Sequence, residues 1–301
     1  MHAHPTSAAL PPLAASKPLL KWPGGKQRLL SQLLPLLPPG SRLVEPFVGA
    51  GSVFLAASYD QYVISDANSD LVTMWVALKE RPNEYATRAS AFFVEEHRSQ
   101  DAYLRVRAEF NGLVDRFERA VRLPYLNRFG FNGLFRVNRS GAFNTPYGKP
   151  AKVPTFPWEQ VEAAAAKLER CLVLNGGFAA AMELAGDGDV VYCDPPYLDS
   201  ETGASFTAYT VDAFGMEQHE RLVECARQAV SRGAHVLISN HDTPEVHELY
   251  GGWDVCAVEV RRSVAAGSGS RGIAREVVAR LAPPAVEIRC TADELVGSKP
   301  A

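Results

Sequence analysis

The sequence predicts an α/β protein, a doubly wound, mostly parallel sheet carrying one inserted, mainly helical region. Three observations carry that expectation. Apolar, β-branched runs of strand length recur along the chain, helix-length segments separate them, and the alternation breaks once, between residues 81 and 159. At 301 residues and 32.7 kDa the chain fits one large core plus an insertion rather than three domains. A hydrophobic fraction of 47% with 22% charged residues, 23 Gly and 21 Pro excludes a wholly disordered, collagen-like or low-complexity chain.

Residues 1–16, rich in Ala and Pro, are expected to be a disordered tail, and 286–301 a C-terminal one. The run 42–48 predicts a strand ended by Gly49-Ala-Gly51, and 62–65 a second strand stopped by Asp66-Ala-Asn68. Helical spacing over 71–78 closes at Arg81-Pro82, and 84–120 reads as helical and charged. Residues 122–157 are rich in Gly, Asn, Pro and aromatics, too long for a plain connection and therefore a functional insertion. The rhythm then returns with a helix over 162–170, strands at 171–174 and 190–193, a helix over 216–231 and a strand at 235–239. Segments 255–260 and 276–281 form a closing pair at the sheet edge. No internal repeat is present.

No stretch approaches the roughly 18 apolar residues of a spanning helix, and no Lys or Arg precedes Lys17 to make a signal n-region, so a cytoplasmic protein without a membrane partner is expected. The five cysteines (Cys171, Cys193, Cys225, Cys256, Cys290) are odd in number and lack short paired spacing. Free thiols and no metal are the expectation.

The net charge of −3 conceals an asymmetry: residues 119–152 hold seven Lys or Arg and no Asp or Glu, leaving −10 for the remainder. Tyr125, Phe129, Phe131, Phe135, Phe143 and Tyr147 lie among those charges, with Asn127, Asn132, Asn138 and Asn144. Basic groups suit phosphates, planar rings suit unstacked bases and amides suit base edges, so one reading is a nucleic-acid surface. The other is a solvated loop around its own small aromatic core.

Ligands of doubly wound sheets bind beyond the carboxyl ends of the strands, which selects residues 47–51, 66–68, 176–178, 194–197 and 240–242. Phe47-Val-Gly-Ala-Gly51 lets backbone approach a ligand closely, although a tight turn explains it as well. Asp66 is placed either to accept from a ribose or to cap a helix. Lys21-Trp-Pro-Gly-Gly-Lys26 reads alternatively as a Pro-Gly turn with a solvated lysine. Asp194-Pro-Pro-Tyr197 is sharper: rigid prolines after a buried strand fix a carboxylate and a carbonyl toward the cleft.

Together these motifs resemble the Dam-type (D12 class) DNA adenine-N6 methyltransferases. The resemblance covers residues 17–281, with Trp22 to Lys26, the glycine motif, Asp66, the insert segments 125–135 and 143–148, and Asp194-Pro-Pro-Tyr197 in the family's alpha order. It implies a methyltransferase-type doubly wound sheet, S-adenosylmethionine as cofactor and double-stranded DNA as partner, the protein acting as a monomer in a bacterial cytoplasm or encoded by a phage. It divides the chain into a discontinuous catalytic domain (17–80 and 160–285) and a DNA target-recognition domain (81–159). Carried over by motif, Trp22, Lys26, Phe47, Gly49, Gly51, Asp66, Phe178 and Asp194 contact the cofactor, and Asp194, Pro195, Pro196 and Tyr197 are catalytic. Arg128, Asn132, Arg136, Asn138, Arg139, Asn144 and Lys149 contact DNA, and no metal is required. Arg261, Arg262, Arg271 and Arg275 resemble a phosphate-contacting segment, or form a solvated hairpin.

Two positions depart from the family. Gly177 stands where Asp usually precedes the aromatic residue, which puts the adenine contact of the cofactor in doubt. Val137 and Ser140 replace residues usual in GATC-specific members, so GATC is a default expectation; Arg139 is still able to pair with guanine.

The exocyclic amine of adenine is a weak nucleophile, and acceptors on both hydrogens favour a lone pair aimed at the methyl group. The Asp194 carboxylate and Pro195 carbonyl supply them, with Tyr197 stacking on the base. Alignment of two reactants then supplies most of the catalysis, and no covalent enzyme intermediate is needed. The target base must be flipped out of the duplex. Cys193 alternates away from Asp194 and is structural. Residues 199–214 read as a loop that orders over substrate. Methylation of RNA adenine or protein glutamine, and a DNA-binding protein without catalysis, remain alternatives.

Overall fold

The computed structural model describes residues 17–198, 214–261 and 273–284. The expected tails at 1–16 and 286–301, the loop at 199–213, and Arg262 and Arg271 lie outside the described residues. In chain order the elements are α1 (Leu30–Leu33), β1 (Arg42–Glu45), α2 (Ser52–Ala56), β2 (Gln61–Asp66), α3 (Ser69–Glu80), α4 (Pro82–Ser90), α5 (Gln100–Gly112) and α6 (Arg116–Phe129). There follow α7 (Trp158–Leu168), β3 (Cys171–Asn175), α8 (Phe178–Glu183), β4 (Asp189–Cys193), α9 (Met216–Ser231), β5 (His235–His241), α10 (Pro244–Leu249), β6 (Asp254–Arg261) and β7 (Ile273–Leu281).

The strands make one sheet of order β3-β2-β1-β4-β5-β7-β6. Pairs β2/β3, β1/β2, β1/β4 and β4/β5 are parallel, whereas β7 runs antiparallel to both β5 and β6. The closing pair expected at the edge is this β6/β7 hairpin. Strand order reverses direction between β1 and β4, which opens a crevice at their carboxyl ends.

Period-two alternation sends side chains to the two faces. Leu43, Tyr62, Ile64, Val190 and Tyr192 bury on one side, and Val44, Val63, Val191, Cys193 and Ile238 on the other. The second face is covered by α8, α9 and α10 through Met182, Leu222, Ala226 and Val246. The first carries α3, and its core continues without a break through Trp75 into Tyr85, Tyr103, Phe110 and Phe129 of α4, α5 and α6. The insertion therefore has no core of its own.

Strand β1 ends at Glu45, three residues before the sequence suggests, because Pro46 carries no N–H for the ladder. The stretch 84–120 resolves into three helices, and α6 runs on to Phe129, eight residues into the segment expected as loop. Asp115 fixes the start of α6 by accepting from the N–H groups of Phe117 and Glu118. A bidentate ion pair ties α6 to α3: Arg119 Nε and Nη2 meet the Asp70 carboxylate at 2.7 and 2.8 Å. The chain after α6 returns as a hairpin-like arm held by bridges Gly130–Tyr147 and Val137–Phe143. No helix among the described residues is long and apolar enough to cross a membrane.

Candidate active site

All five residues of β4 are buried, and the chain leaves the sheet directly into Asp194-Pro-Pro-Tyr197. The carboxylate of Asp194 meets Lys26, whose Nζ lies 2.8 Å from Oδ1 and donates to the Gly24 carbonyl at 2.9 Å. Lys26 is almost completely buried, so its charge needs that partner. Burial raises the Asp194 pKa and Lys26 opposes the rise. The Lys26 ammonium also sits over the Tyr197 ring, 4.7 Å from its centroid. His241 packs edge-on to the same ring at 4.7 Å, and the phenolic O–H donates to Glu276 Oε2 at 2.7 Å. Burial is the main cause that drives the Tyr197 hydroxyl pKa up, so the phenol stays protonated and a donor.

Between β1 and α2 the backbone turns through two left-handed glycines, Gly49 (φ 51°) and Gly51 (φ 74°), where a β-carbon would be strained. A Cβ on Gly49 would come within 3.2 Å of the Trp22 ring, and one on Gly51 within 3.0 Å of Trp75. Asp66 secures this turn from the end of β2: its Oδ2 accepts from Gly49 N–H at 3.0 Å and its Oδ1 from Asn68 N–H at 2.9 Å. Each oxygen keeps a second lone pair for a ligand hydroxyl. The cap of α3 belongs instead to Asn68, which accepts from Asp70 and Leu71, so the capping alternative for Asp66 falls away. Phe47 and Phe178 stack at 5.5 Å with 26° between planes, and Phe214 closes the cluster edge-on. Gly177 is the N-cap of α8 and brings no side chain to cap it.

Behind the motif, His219 of α9 is fully buried with Phe214 edge-on at 4.8 Å. Burial pulls its imidazole down to about 4, with the Pro196 carbonyl opposing. Cys193 is buried and its thiol pKa is raised by that burial, which suits a packing role.

The hairpin divides the residues expected at DNA. Arg139 and Lys149 are exposed and make no hydrogen bond or ion pair among the described residues, and Asn132 is exposed in a left-handed conformation (φ 53°) beside the exposed ring of Phe131. Arg136 and Asn144 hold each other across the arm, Nε to Oδ1 at 2.7 Å. Asn138 is a turn former, its Oδ1 accepting from Ser140 N–H, Ser140 O–H and Ala142 N–H. Arg128 points inward, with Nη2 donating to the Leu19 carbonyl at 2.6 Å. Asn127 is buried and bolts the hairpin to the N-terminal segment, accepting from Lys21 N–H at 2.9 Å and donating to the carbonyls of Lys21 and Gly133. Arg119 and Arg122 are neutralised by Asp70, Glu109 and Glu118. Trp22 joins the two regions, since its ring lies against both Gly49 and Phe135.

Sequence reasoning missed Glu276. An acidic residue among the apolar residues of β7 is the signal that marks it.

Lys26, the glycine turn, Asp66 and Asp194-Pro-Pro-Tyr197 thus gather at the carboxyl ends of β1, β2 and β4, next to a basic hairpin, an arrangement fit to hold a ligand. Residues 22–264 match the D12 class N6 adenine-specific DNA methyltransferases, and the chain belongs to that family. It is 42% identical over 271 residues to the DNA adenine methylase of Escherichia coli (strain K12), covering 90% of this chain and 97% of that one. The DNA adenine methylase of Vibrio cholerae serotype O1 is 38% identical over 265 residues, covering 88% and 95%. The DNA N-6-adenine-methyltransferase of Escherichia phage P1 is 41% identical over 263 residues, which is 86% of this chain and 35% of that longer protein.

Proposed function

We propose that this chain transfers a methyl group from S-adenosylmethionine to N6 of an adenine flipped out of a short duplex motif. The observation that carries the reading is the Asp194, Lys26 and Tyr197 constellation, set at the carboxyl end of β4 beside the glycine turn. The cofactor supplies an activated methyl group. The residues around the turn fit it: Gly49 and Gly51 leave the backbone bare, Asp66 offers acceptors at the end of β2, and Glu45 Oε1 is buried with no hydrogen-bond donor. Burial raises the Glu45 pKa and the Lys167 ammonium opposes the rise, so a cationic ligand nearby would favour the charged form further. Phe47 and Phe178 offer a flat apolar surface for a purine.

On the adenine side, Lys26 occupies Asp194 Oδ1 and leaves Oδ2 to accept one amine hydrogen. The Pro195 carbonyl accepts the other. With the ammonium of Lys26 over one face of Tyr197, the base stacks on the opposite face. Such acceptors orient the N6 lone pair before the methyl transfer, which is where alignment lowers the barrier.

The recognition region spans residues 81–159 and the catalytic region 17–80 and 160–285. Within the insert, Arg139 and Lys149 meet base edge and phosphate, Asn132 stands near the opened pair, and Phe131 is the apolar wedge that takes the space of the departed base. Arg136 and Asn144 act as a coupled pair, while Arg128 and Asn138 hold the hairpin in shape. GATC is the target by default.

Incubating the protein with S-adenosylmethionine and unmethylated genomic DNA, followed by single-molecule sequencing, tests the reading. N6-methyladenine confined to one short motif is expected. Absence of methylation with proven cofactor binding would overturn it.

A further inference from the structure

Glu276 stands in the middle of β7, opposite His241 of β5 in the antiparallel ladder. Its side chain is only 14% exposed and reaches two residues of the cleft, the Tyr197 hydroxyl at 2.7 Å and Lys26 Nζ at 3.8 Å. Lys26 is therefore shared by two carboxylates, the nearer being Asp194 at 2.8 Å. Tyrosine has one polar atom, at the far end of its ring, and a bond there fixes where that end lies, while the edge-on His241 ring and the Lys26 ammonium over its face hold the ring plane. A carboxylate that holds an ammonium alone loses proton affinity to it, and a second carboxylate on the same ammonium restores part of that affinity.

We propose that Glu276 is a positioning residue for methyl transfer: it anchors the end of the Tyr197 ring through the phenolic oxygen and, by sharing Lys26, keeps the Asp194 carboxylate a strong acceptor for the adenine amine. This rests on the reading of Asp194 and Tyr197 as the adenine site. The ionisable groups facing the cluster are Lys26, Asp194, Tyr197, Tyr192 and His241, with Glu45 beyond Asp194. The negative charge of Glu276 raises the Asp194 pKa, so removing that charge lowers it.

The test is single-turnover methyl transfer by the wild type, Glu276→Gln and Glu276→Ala across about pH 5–9. Glu276→Gln keeps an acceptor for Tyr197 and loses the charge. Its rate is expected to fall about 10-fold, with the acid limb displaced to lower pH, and Glu276→Ala is expected to fall about 100-fold. Affinity for S-adenosylmethionine, measured by calorimetry, stays within about threefold of wild type in both. A purely structural role would lower the unfolding midpoint and leave the acid limb where it was. An unmoved acid limb in Glu276→Gln, or wild-type transfer by Glu276→Ala, overturns the proposal.

Urea unfolding of Glu276→Ala, Tyr197→Phe and the double variant gives a readout that needs no activity. The combined shift in midpoint is expected to differ from the sum of the single shifts, and strict additivity overturns the pairing. If the wild type binds S-adenosylmethionine but methylates no adenine, the adenine reading fails, and the unfolding cycle alone decides whether Glu276 holds Tyr197.

Discussion

In the cleft at the carboxyl ends of β1 and β4, ionisable side chains face one another: Lys26 touches Asp194, Tyr197 and Glu276. At the end of α6 and in the hairpin that follows it, polar side chains reach backbone instead, as Asn127 does on Lys21 and Gly133, Arg128 on Leu19 and Asn138 on Ala142. The difference teaches how to weigh residue types in a sequence. A basic, amide-rich stretch must first hold up its own irregular backbone, whose carbonyls and N–H groups have no sheet or helix to satisfy them. Of seven basic residues in 119–152, Arg119 and Arg122 are paired with acids and Arg128 is turned inward, leaving Arg136, Arg139, Lys149 and Lys152 to create the outward field. A motif at a strand end has its backbone already satisfied, so its side chains are left for ligands.

Four substitutions sharpen or break this comparison. The largest effect is expected at Asp194→Ala, which removes an acceptor for the amine and leaves Lys26 without its nearest partner. Transfer should fall by about 10²–10³-fold or more in a single-turnover assay at saturating cofactor. A smaller fall would mean that the cleft is not where the amine is held.

Next is pH dependence through His219, behind the cleft. Its pKa is about 4 in the folded protein against an ordinary 6.5, so the unfolded chain takes up a proton first as the pH drops. Stability is unaffected above pH 6.5 and is lost progressively between about 6.5 and 4, by up to about 3 kcal/mol. His219→Gln should flatten that part of a plot of unfolding free energy against pH.

In the insert, Asn127→Ala leaves three backbone groups without partners, one of them in a fully buried bond, and should cost about 2–3 kcal/mol in urea unfolding. Arg139→Ala should do the reverse. Stability stays within about 0.5 kcal/mol of wild type, while discrimination at one base pair weakens by about 1–3 kcal/mol in competition between duplexes. If Asn127→Ala altered sequence preference and Arg139→Ala did not, the division of the hairpin into supporting and reading residues would be reversed.

The strands were legible because each is a short apolar run bounded by Gly, Pro or Asp, and the strand-end rule then pointed to 47–51, 66 and 194–197. The length of α6 was not legible, since Pro124 and Gly130 punctuate the sequence there while burial of Leu123, Tyr125, Leu126 and Phe129 holds the helix together. Asn127 was misjudged for a related reason: whether an amide faces a base or a carbonyl depends on partners about a hundred residues away. Glu276 escaped notice because its significance lies in contacts to Lys26 and Tyr197, neither of them near in sequence.

The position of β7 between β5 and β6 has a consequence for biosynthesis. Lys26 is made early and Glu276 some 250 residues later, yet both face the same tyrosine. A growing chain can translate the glycine turn, the basic hairpin and Asp-Pro-Pro-Tyr and still lack the strand that completes the cleft. Contacts so distant in sequence also close slowly. A chain still attached to its ribosome therefore carries every motif that identifies the family without the finished site.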